Sequence, residues 1–179
     1  MQHILVLLDS HNEQHTEFNQ RAISCAQHIC EVIGGAYSLL VNTSAEDGEA
    51  AHQWQHFGAR EVYYVDLGTP EAASTGVIDC LVRLLNDHHI NHVVGPGTQS
   101  WREFLQRLSG ATQWQIVSDV THVEMTGTGT LYHKPWLAGE AHTGRRLTTA
   151  SAIFTPASGA YGRARPIATA SVVVQDTLT

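Results

Sequence analysis

The sequence predicts an α/β fold: a mostly parallel, twisted sheet with helices on both faces, followed by C-terminal antiparallel strands. Strand-like apolar runs and helical patterns alternate four times between residues 4 and 108, and this order is typical of a parallel sheet built from crossovers. After Val120 the helical patterns stop, and short strand-like runs follow one another directly. We expect residues 1–179 to form a single domain, because a chain of this length buries one core.

The first half of the chain contains the alternating elements. The run at residues 4–8 is continuously apolar, as expected of a strand buried on both faces. Glycines follow three of the four helical patterns, and we expect Gly34, Gly58 and Gly110 to end them. The predicted strands are residues 4–8, 37–41, 62–65 and 92–94, and the predicted helices are residues 18–32, 46–57, 77–85 and 101–108.

The second half reads as an antiparallel tail. Strand-like runs occupy residues 120–125, 130–133 and 152–155, and residues 126–129 read TGTG, a turn sequence. A last strand is predicted at residues 172–174.

Composition excludes several functional classes. The net charge is −7 and the ten basic residues are scattered, so we expect no binding to nucleic acid. The N-terminal apolar run lacks the features of a signal peptide and is too short to insert into a membrane. Three cysteines, an odd number, indicate free thiols in a reducing compartment, and we therefore expect a cytoplasmic protein.

A glycine-containing loop is the candidate binding site. Residues 95–100 read GPGTQS between the fourth strand and the fourth helix, where parallel sheets bind ligands and helix N-termini attract phosphates. Gly95, Gly97, Thr98 and Ser100 are the residues that would contact a phosphate. The run lacks the lysine of a P-loop and the spacing of a dinucleotide fingerprint. A tight turn, with Thr98 or Ser100 as the helix N-cap, is the other interpretation.

Two other clusters are candidates for catalysis or metal binding. His88, His89 and His92 could bind zinc, but adjacent side chains point apart in a helix or a strand. Ser118 and Asp119 could belong to a hydrolase triad, but no nucleophile elbow surrounds the serine. Asp119 is expected instead to cap or accept backbone hydrogen bonds. We therefore predict no catalytic residue and no metal site.

Several segments together carry a family resemblance. Residues 116–121 read IVSDVT and residues 134–141 read KPWLAGEA, and this pair resembles two segments of the N-terminal domain of the alpha subunit of electron-transfer flavoprotein. Four further segments occur in the order found in that family: LVLLD at 5–9, the glycine pair at 34–35, FGAREVYYV at 57–65, and GPGTQSWREFLQRL at 95–108. The resemblance covers residues 3–160, with Trp101 standing where the family has glycine.

The resemblance implies a non-catalytic electron-carrier component. It implies a heterodimer with a beta-type subunit that takes electrons from dehydrogenases, and it implies that FAD (flavin adenine dinucleotide) belongs to the complete complex. The family's FAD is held mainly by a C-terminal domain for which this chain has no residues, so we expect this chain alone not to hold it. The AMP of this family is bound by the beta subunit.

Indole and guanidinium groups are the candidates for the partner interface. An exposed tryptophan is a common interface anchor, whereas a buried one belongs to the core. Trp101, Trp114 and Trp136 are therefore candidates. Arg145 and Arg146 could pair with acidic groups of a partner or with a flavin pyrophosphate, or could lie in a solvated turn.

Two other functions stay open at the level of sequence. The same broad fold, that of the adenine-nucleotide alpha-hydrolase-like and universal-stress-type proteins, would suit a free-standing adenine-nucleotide-binding module that uses the loop at 95–100. A metal-dependent hydrolase would have to use His88, His89 and His92.

Overall fold

The computed structural model describes residues 2–11, 13–44, 52–136, 141–147 and 150–175. The strands are β1 His3–Asp9, β2 Ala36–Asn42, β3 Glu61–Val65, β4 His92–Val94, β5 Gln115–Val120, β6 His122–Thr126, β7 Gly129–Trp136, β8 Ala141–Arg146, β9 Ala152–Pro156 and β10 Val172–Gln175. The helices described in full are α1 Thr16–Ile33, α2 Thr75–Asp87 and α3 Gln99–Thr112. The first half of the helix predicted at 46–57 lies outside the described residues, and residues 53–56 form turns.

The strands form two sheets. The main sheet has seven strands in the order β10-β3-β2-β1-β4-β9-β5, and all its neighbours pair in parallel. The small sheet has the order β6-β7-β8 and is antiparallel. The predicted fold class, a mostly parallel sheet followed by antiparallel strands, is confirmed.

Burial of β1 on both faces divides the core into two layers. Its alternate side chains point to opposite faces of the sheet. Ile4, Val6 and Leu8 pack in the layer under α1, and Leu5 and Leu7 pack in the layer under α2 and α3. The helices therefore cover both faces, and the continuous apolar run at residues 4–8 is explained.

Three details of the predicted second half were wrong. Residues 152–155 belong to β9, which pairs in parallel with β4 and β5 inside the main sheet and not in an antiparallel tail. The run at 120–125 is divided between β5 and β6, which belong to different sheets. Arg145 and Arg146 lie in β8, not in a turn. The hairpin turn predicted at 126–129 joins β6 to β7 as expected.

Backbone geometry fixes the ends of the helices. α1 ends before Gly34, whose φ is 74° and whose N–H donates to the carbonyl of Cys30. α3 continues through Gly110, against the prediction, and ends before Gln113, whose φ of 58° is left-handed. Among the described residues, none of the helices combines the length and the apolar character that crossing a membrane requires.

Candidate functional site

The candidate site lies at the carboxyl ends of two neighbouring strands. β1 ends at Asp9, and β4, its parallel neighbour, leads into the loop that opens α3. Loops at this edge of a parallel sheet are where ligands bind in open α/β folds. The loop of residues 95–100 therefore has the position that the sequence predicted for it.

Close packing accounts for both glycines of the loop. A Cβ at Gly95 would lie 2.6 Å from Cδ1 of Leu105, a buried residue of α3. A Cβ at Gly97 would lie 3.3 Å from the carbonyl oxygen of Pro156, the last residue of β9. The N–H of Gly95 donates to the carbonyl of Phe154 at 3.0 Å. The glycines thus permit α3 and β9 to pack closely against the loop.

The hydroxyl of Thr98 caps α3. It accepts a hydrogen bond from the backbone N–H of Trp101 at 3.5 Å, and the Thr98 backbone is extended, as an N-cap requires. The Oγ atoms of Thr98 and Ser100 lie 3.5 Å apart. Of the two N-caps considered from the sequence, the structure has Thr98.

A buried carboxylate lies against the first turn of the same helix. Asp9 is 4% exposed, and its Oδ2 accepts the indole N–H of Trp101 at 3.1 Å. The same oxygen lies 2.8 Å from Nδ1 of His15, and Oδ1 accepts the N–H of His11 at 3.1 Å. A negative charge here opposes the approach of a phosphate. Sequence reasoning missed Asp9, although an acidic residue directly after a buried strand is a visible signal.

Arg102 is the basic residue of the first turn, and its guanidinium has internal partners. Its Nε donates to the carbonyl of Gly97 at 3.0 Å, and a terminal nitrogen donates to Oδ1 of Asp119 at 2.6 Å. The guanidinium thereby joins the loop to the end of β5. Arg102, which sequence reasoning did not single out, is directed at protein groups rather than at the open side of the loop.

Asp119, of the Ser118-Asp119 pair, has structural partners. Asp119 has a left-handed backbone with φ 58°, and its N–H donates to the hydroxyl of Thr155 at 3.1 Å. Its carboxylate pairs with the Arg102 guanidinium, where the sequence predicted a cap or an acceptor of backbone hydrogen bonds. The geometry is that of an ion pair at an irregularity near the end of β5 and not of a catalytic triad.

The three histidines at 88, 89 and 92 do not converge. His92 is 2% exposed, its Nδ1 accepts the N–H of Ala152, and burial lowers its pKa to about 4. Nδ1 of His88 lies 3.0 Å from the hydroxyl of Tyr63, and His89 is exposed with φ 52°. Within the described part of the chain, no group of three or more His, Cys, Asp or Glu side chains is placed to hold a metal ion.

The predicted interface residues have different environments. Trp101 is fully buried, which is the environment expected of a core tryptophan, and its contact with a partner stays a prediction. Trp114 is half-buried and packs against the layer under α2 and α3. The side chain of Trp136 lies outside the described part. Arg145 and Arg146 are exposed on β8, and Arg146 donates to the hydroxyl of Thr128 at 2.6 Å.

A polar cleft that the sequence did not indicate lies beside α1. Its volume is about 630 Å³, and its walls are the N-terminal half of α1 and residues 161–163. Arg21 and Arg163 line it, but Arg21 is paired with Glu17 of the same helix. Arg163 is therefore the net positive charge among the residues that line the cleft.

Comparison with known proteins identifies the family. The chain matches the family described as "Electron transfer flavoprotein domain" over residues 4–177. No curated protein matches the chain significantly. Because the family match extends from β1 through the last strand of the main sheet, this protein belongs to the electron transfer flavoprotein domain family.

Proposed function

We propose that this chain is an alpha-type domain of an electron-transfer flavoprotein, a non-catalytic component that binds a beta-type subunit. The complex would receive electrons from dehydrogenases in the cytoplasm. The observation that carries the proposal is the uninterrupted family match over residues 4–177, because members of this family are electron carriers rather than enzymes.

Two segments support the alpha assignment. Residues 116–121 and 134–141 resemble segments of the alpha N-terminal domain; the first lies mostly in the main sheet, and the second includes strand residues of the small sheet. The first contains most of β5 and the turn into β6, and the second contains the end of β7. A beta-type chain would instead be expected to bind AMP.

We also propose that FAD belongs to the complete complex and is not held by this chain alone. Two contacts disfavour a flavin pyrophosphate at the loop of residues 95–100. Leu105 and the carbonyl of Pro156 occupy the space beside its glycines, and the guanidinium of Arg102 is paired with Asp119. The Asp9 carboxylate adds a repulsive charge beside the same helix. These contacts support a role in which another polypeptide segment supplies the flavin contacts.

The edge of β8 is the surface we propose for the partner. β8 is the outer strand of the small sheet, and Arg145 and Arg146 are both exposed on it. A basic strand on a chain of net charge −7 favours a partner with acidic groups at the facing position. Trp114 is a second candidate contact, because part of its side chain is exposed.

An absorbance spectrum tests the proposal. The chain is purified alone and after co-expression with a beta-type subunit, and each sample is scanned over the flavin region. We expect the chain alone to be colourless. We expect flavin bands in a co-purified complex that includes the segment that supplies the flavin contacts. Failure of the chain to co-purify with any beta-type subunit would contradict the partner-binding role.

A free-standing adenine-nucleotide-binding module is the second candidate, and the position of the loop is the observation that favours it. The loop follows β4 near the centre of the sheet and ends at the N-terminus of α3. Under this proposal Gly95, Gly97, Thr98 and Ser100 contact phosphate. A rise in Tm of the isolated chain with AMP or ATP, but not with adenosine, would favour it over the electron-transfer role.

A further inference from the structure

One side chain of α1 is bonded to the edge of the small sheet. The backbone N–H of Val123, in β6, donates to Nε2 of His28 at 3.2 Å. β6 is an outer strand of the small sheet, so this ring nitrogen takes the place of a neighbouring strand for that N–H. A histidine nitrogen accepts a hydrogen bond only when it carries no proton. The contact therefore requires His28 to be neutral.

A second histidine lies against the first. The ring centroids of His28 and His122 are 4.9 Å apart, and His122 is the first residue of β6. His133, on β7, follows at 5.8 Å from His122 and pairs with Glu124 at 3.0 Å. Protonation of both His28 and His122 would place two positive charges side by side across the boundary between α1 and β6.

Titratable and charged groups on the neighbouring elements also affect His28. Tyr161, in the segment after β9, closes the other side of the ring at 6.1 Å. Glu31, on α1, favours the protonated ring, but it is itself paired with Arg165, whose charge acts in the opposite direction. Burial, and after it the charge of His122, lowers the pKa of His28.

We propose that His28 is a pH-responsive contact between α1 and the small sheet. Near neutral pH it accepts the Val123 N–H and keeps β6 on α1. In mild acid it becomes a cation, loses its function as an acceptor and is repelled by His122, and the β6 edge separates from α1. The stacked rings of Tyr132 and Phe154, 4.6 Å apart, keep the rest of the small sheet on the main domain. The separation is therefore local.

The direction of the effect follows from linkage. The pKa of His28 in the folded chain is below the ordinary value of 6.5. The opened form therefore binds a proton more readily, and opening becomes more favourable as pH falls through 6.5 toward the folded value. The change is at most about tenfold per pH unit in this window.

Amide exchange measured by NMR on the full chain tests the proposal. The protection factor of the Val123 amide, corrected for the intrinsic effect of pH, is compared at about pH 7.5 and pH 5.5. We expect it to fall by a factor of about 3 to 10 in acid, while the amides of Leu5 and Leu7 in β1 keep their protection. The chemical shift of a carbon-bound ring proton of His28 should report a pKa below 6.5. The chemical shift of the Val123 amide should follow the same titration curve.

Variants separate this contact from general acid sensitivity. His28→Gln offers an oxygen acceptor that does not titrate, so we expect protection at Val123 to become independent of pH. His122→Gln should reduce the fall, and His56→Gln, at an exposed position outside the His28–Val123 contact, should leave it unchanged. A wild-type Val123 amide with the same protection at both pH values, or a His28 ring that titrates at or above 6.5, would overturn the proposal.

Discussion

The indole N–H of Trp101 donates to the carboxylate of Asp9 at 3.1 Å, and this bond joins the first turn of α3 to the end of β1. Both residues are buried, so each polar group depends on the other for part of its hydrogen bonding. The pair occupies the edge of the sheet where a ligand would bind in many proteins of this architecture. It gives the site a structural role.

We expect Trp101→Phe to reduce the free energy of unfolding by about 2–3 kcal/mol, because a buried carboxylate loses a donor and the smaller ring leaves unfilled volume. Urea denaturation followed by circular dichroism measures the change. Trp114→Phe is the matched control at a half-buried position, and its cost should stay below about 1 kcal/mol. Equal costs for the two variants would contradict the role of the Asp9 bond.

Gly95→Ala should lower the free energy of unfolding by about 1–3 kcal/mol, because the new methyl group would meet Leu105 at 2.6 Å. Adding Leu105→Ala should make the effects of the two changes on the free energy of unfolding less than additive in a double-mutant cycle.

Gly110→Ala is the control, and we expect it to change the free energy of unfolding in the opposite direction. This glycine is inside α3 with open space around it, so alanine should stabilise the helix by about 0.5–1 kcal/mol. A neutral Gly95→Ala would instead indicate that the loop is free to bind a ligand.

The buried ring of His92 should make stability depend on pH. Its folded pKa of about 4 lies below the ordinary 6.5, so its contribution is complete above pH 6.5 and is lost as pH falls toward 4. The loss is about 3 kcal/mol over that interval. His92→Asn retains an acceptor for the Ala152 N–H but does not titrate, and it should flatten the curve of unfolding free energy against pH. His56→Asn should keep the wild-type slope; if both variants behave alike, His92 is not the group responsible.

Charge reversal on β8 should weaken binding to a beta-type subunit. We expect the double variant Arg145→Glu, Arg146→Glu to raise the Kd about tenfold or more and to slow association, because exposed charges at an interface act mainly on encounter. Titration calorimetry at low and at physiological salt measures both effects. Arg83→Glu, an exposed arginine on α2, is the control for a charge reversal away from β8, with half the change in net charge. Unchanged affinity in the β8 variant would remove this edge from the proposed interface.

Local sequence patterns predicted the buried elements well. The strand at 92–94 was predicted with the bounds that the structure has, and the first strand differed by one residue at each end. These runs are apolar on both faces, so their burial is visible residue by residue. The strand at 152–155 was also found, but its neighbours were not, because strand direction and position in a sheet depend on distant segments.

Other elements were hidden because their signal is weak or misleading. The sequence of β8, AHTGRR, has no alternation of apolar and polar residues, and the strand is formed by pairing with β7. Gly110 suggested a helix end, but α3 continues to Thr112, whose hydroxyl donates to the carbonyl of Leu108 at 2.8 Å. In the site, the partners of Asp9 and Arg102 are Trp101 and Asp119, and the sequence pattern does not show which side chains the fold brings together.

The place of β9 between β4 and β5 has a consequence for how the chain folds during synthesis. β5 leaves the ribosome before the strand that connects it to the rest of the sheet, and the small sheet is made between the two. Until β9 inserts, β4 has no neighbour on the side away from β1, and β5 has no strand of the main sheet to pair with. Closure of the sheet therefore comes late and over long sequence distances, and such closure is slow. The nascent chain is most prone to aggregation while these strand edges are unpaired.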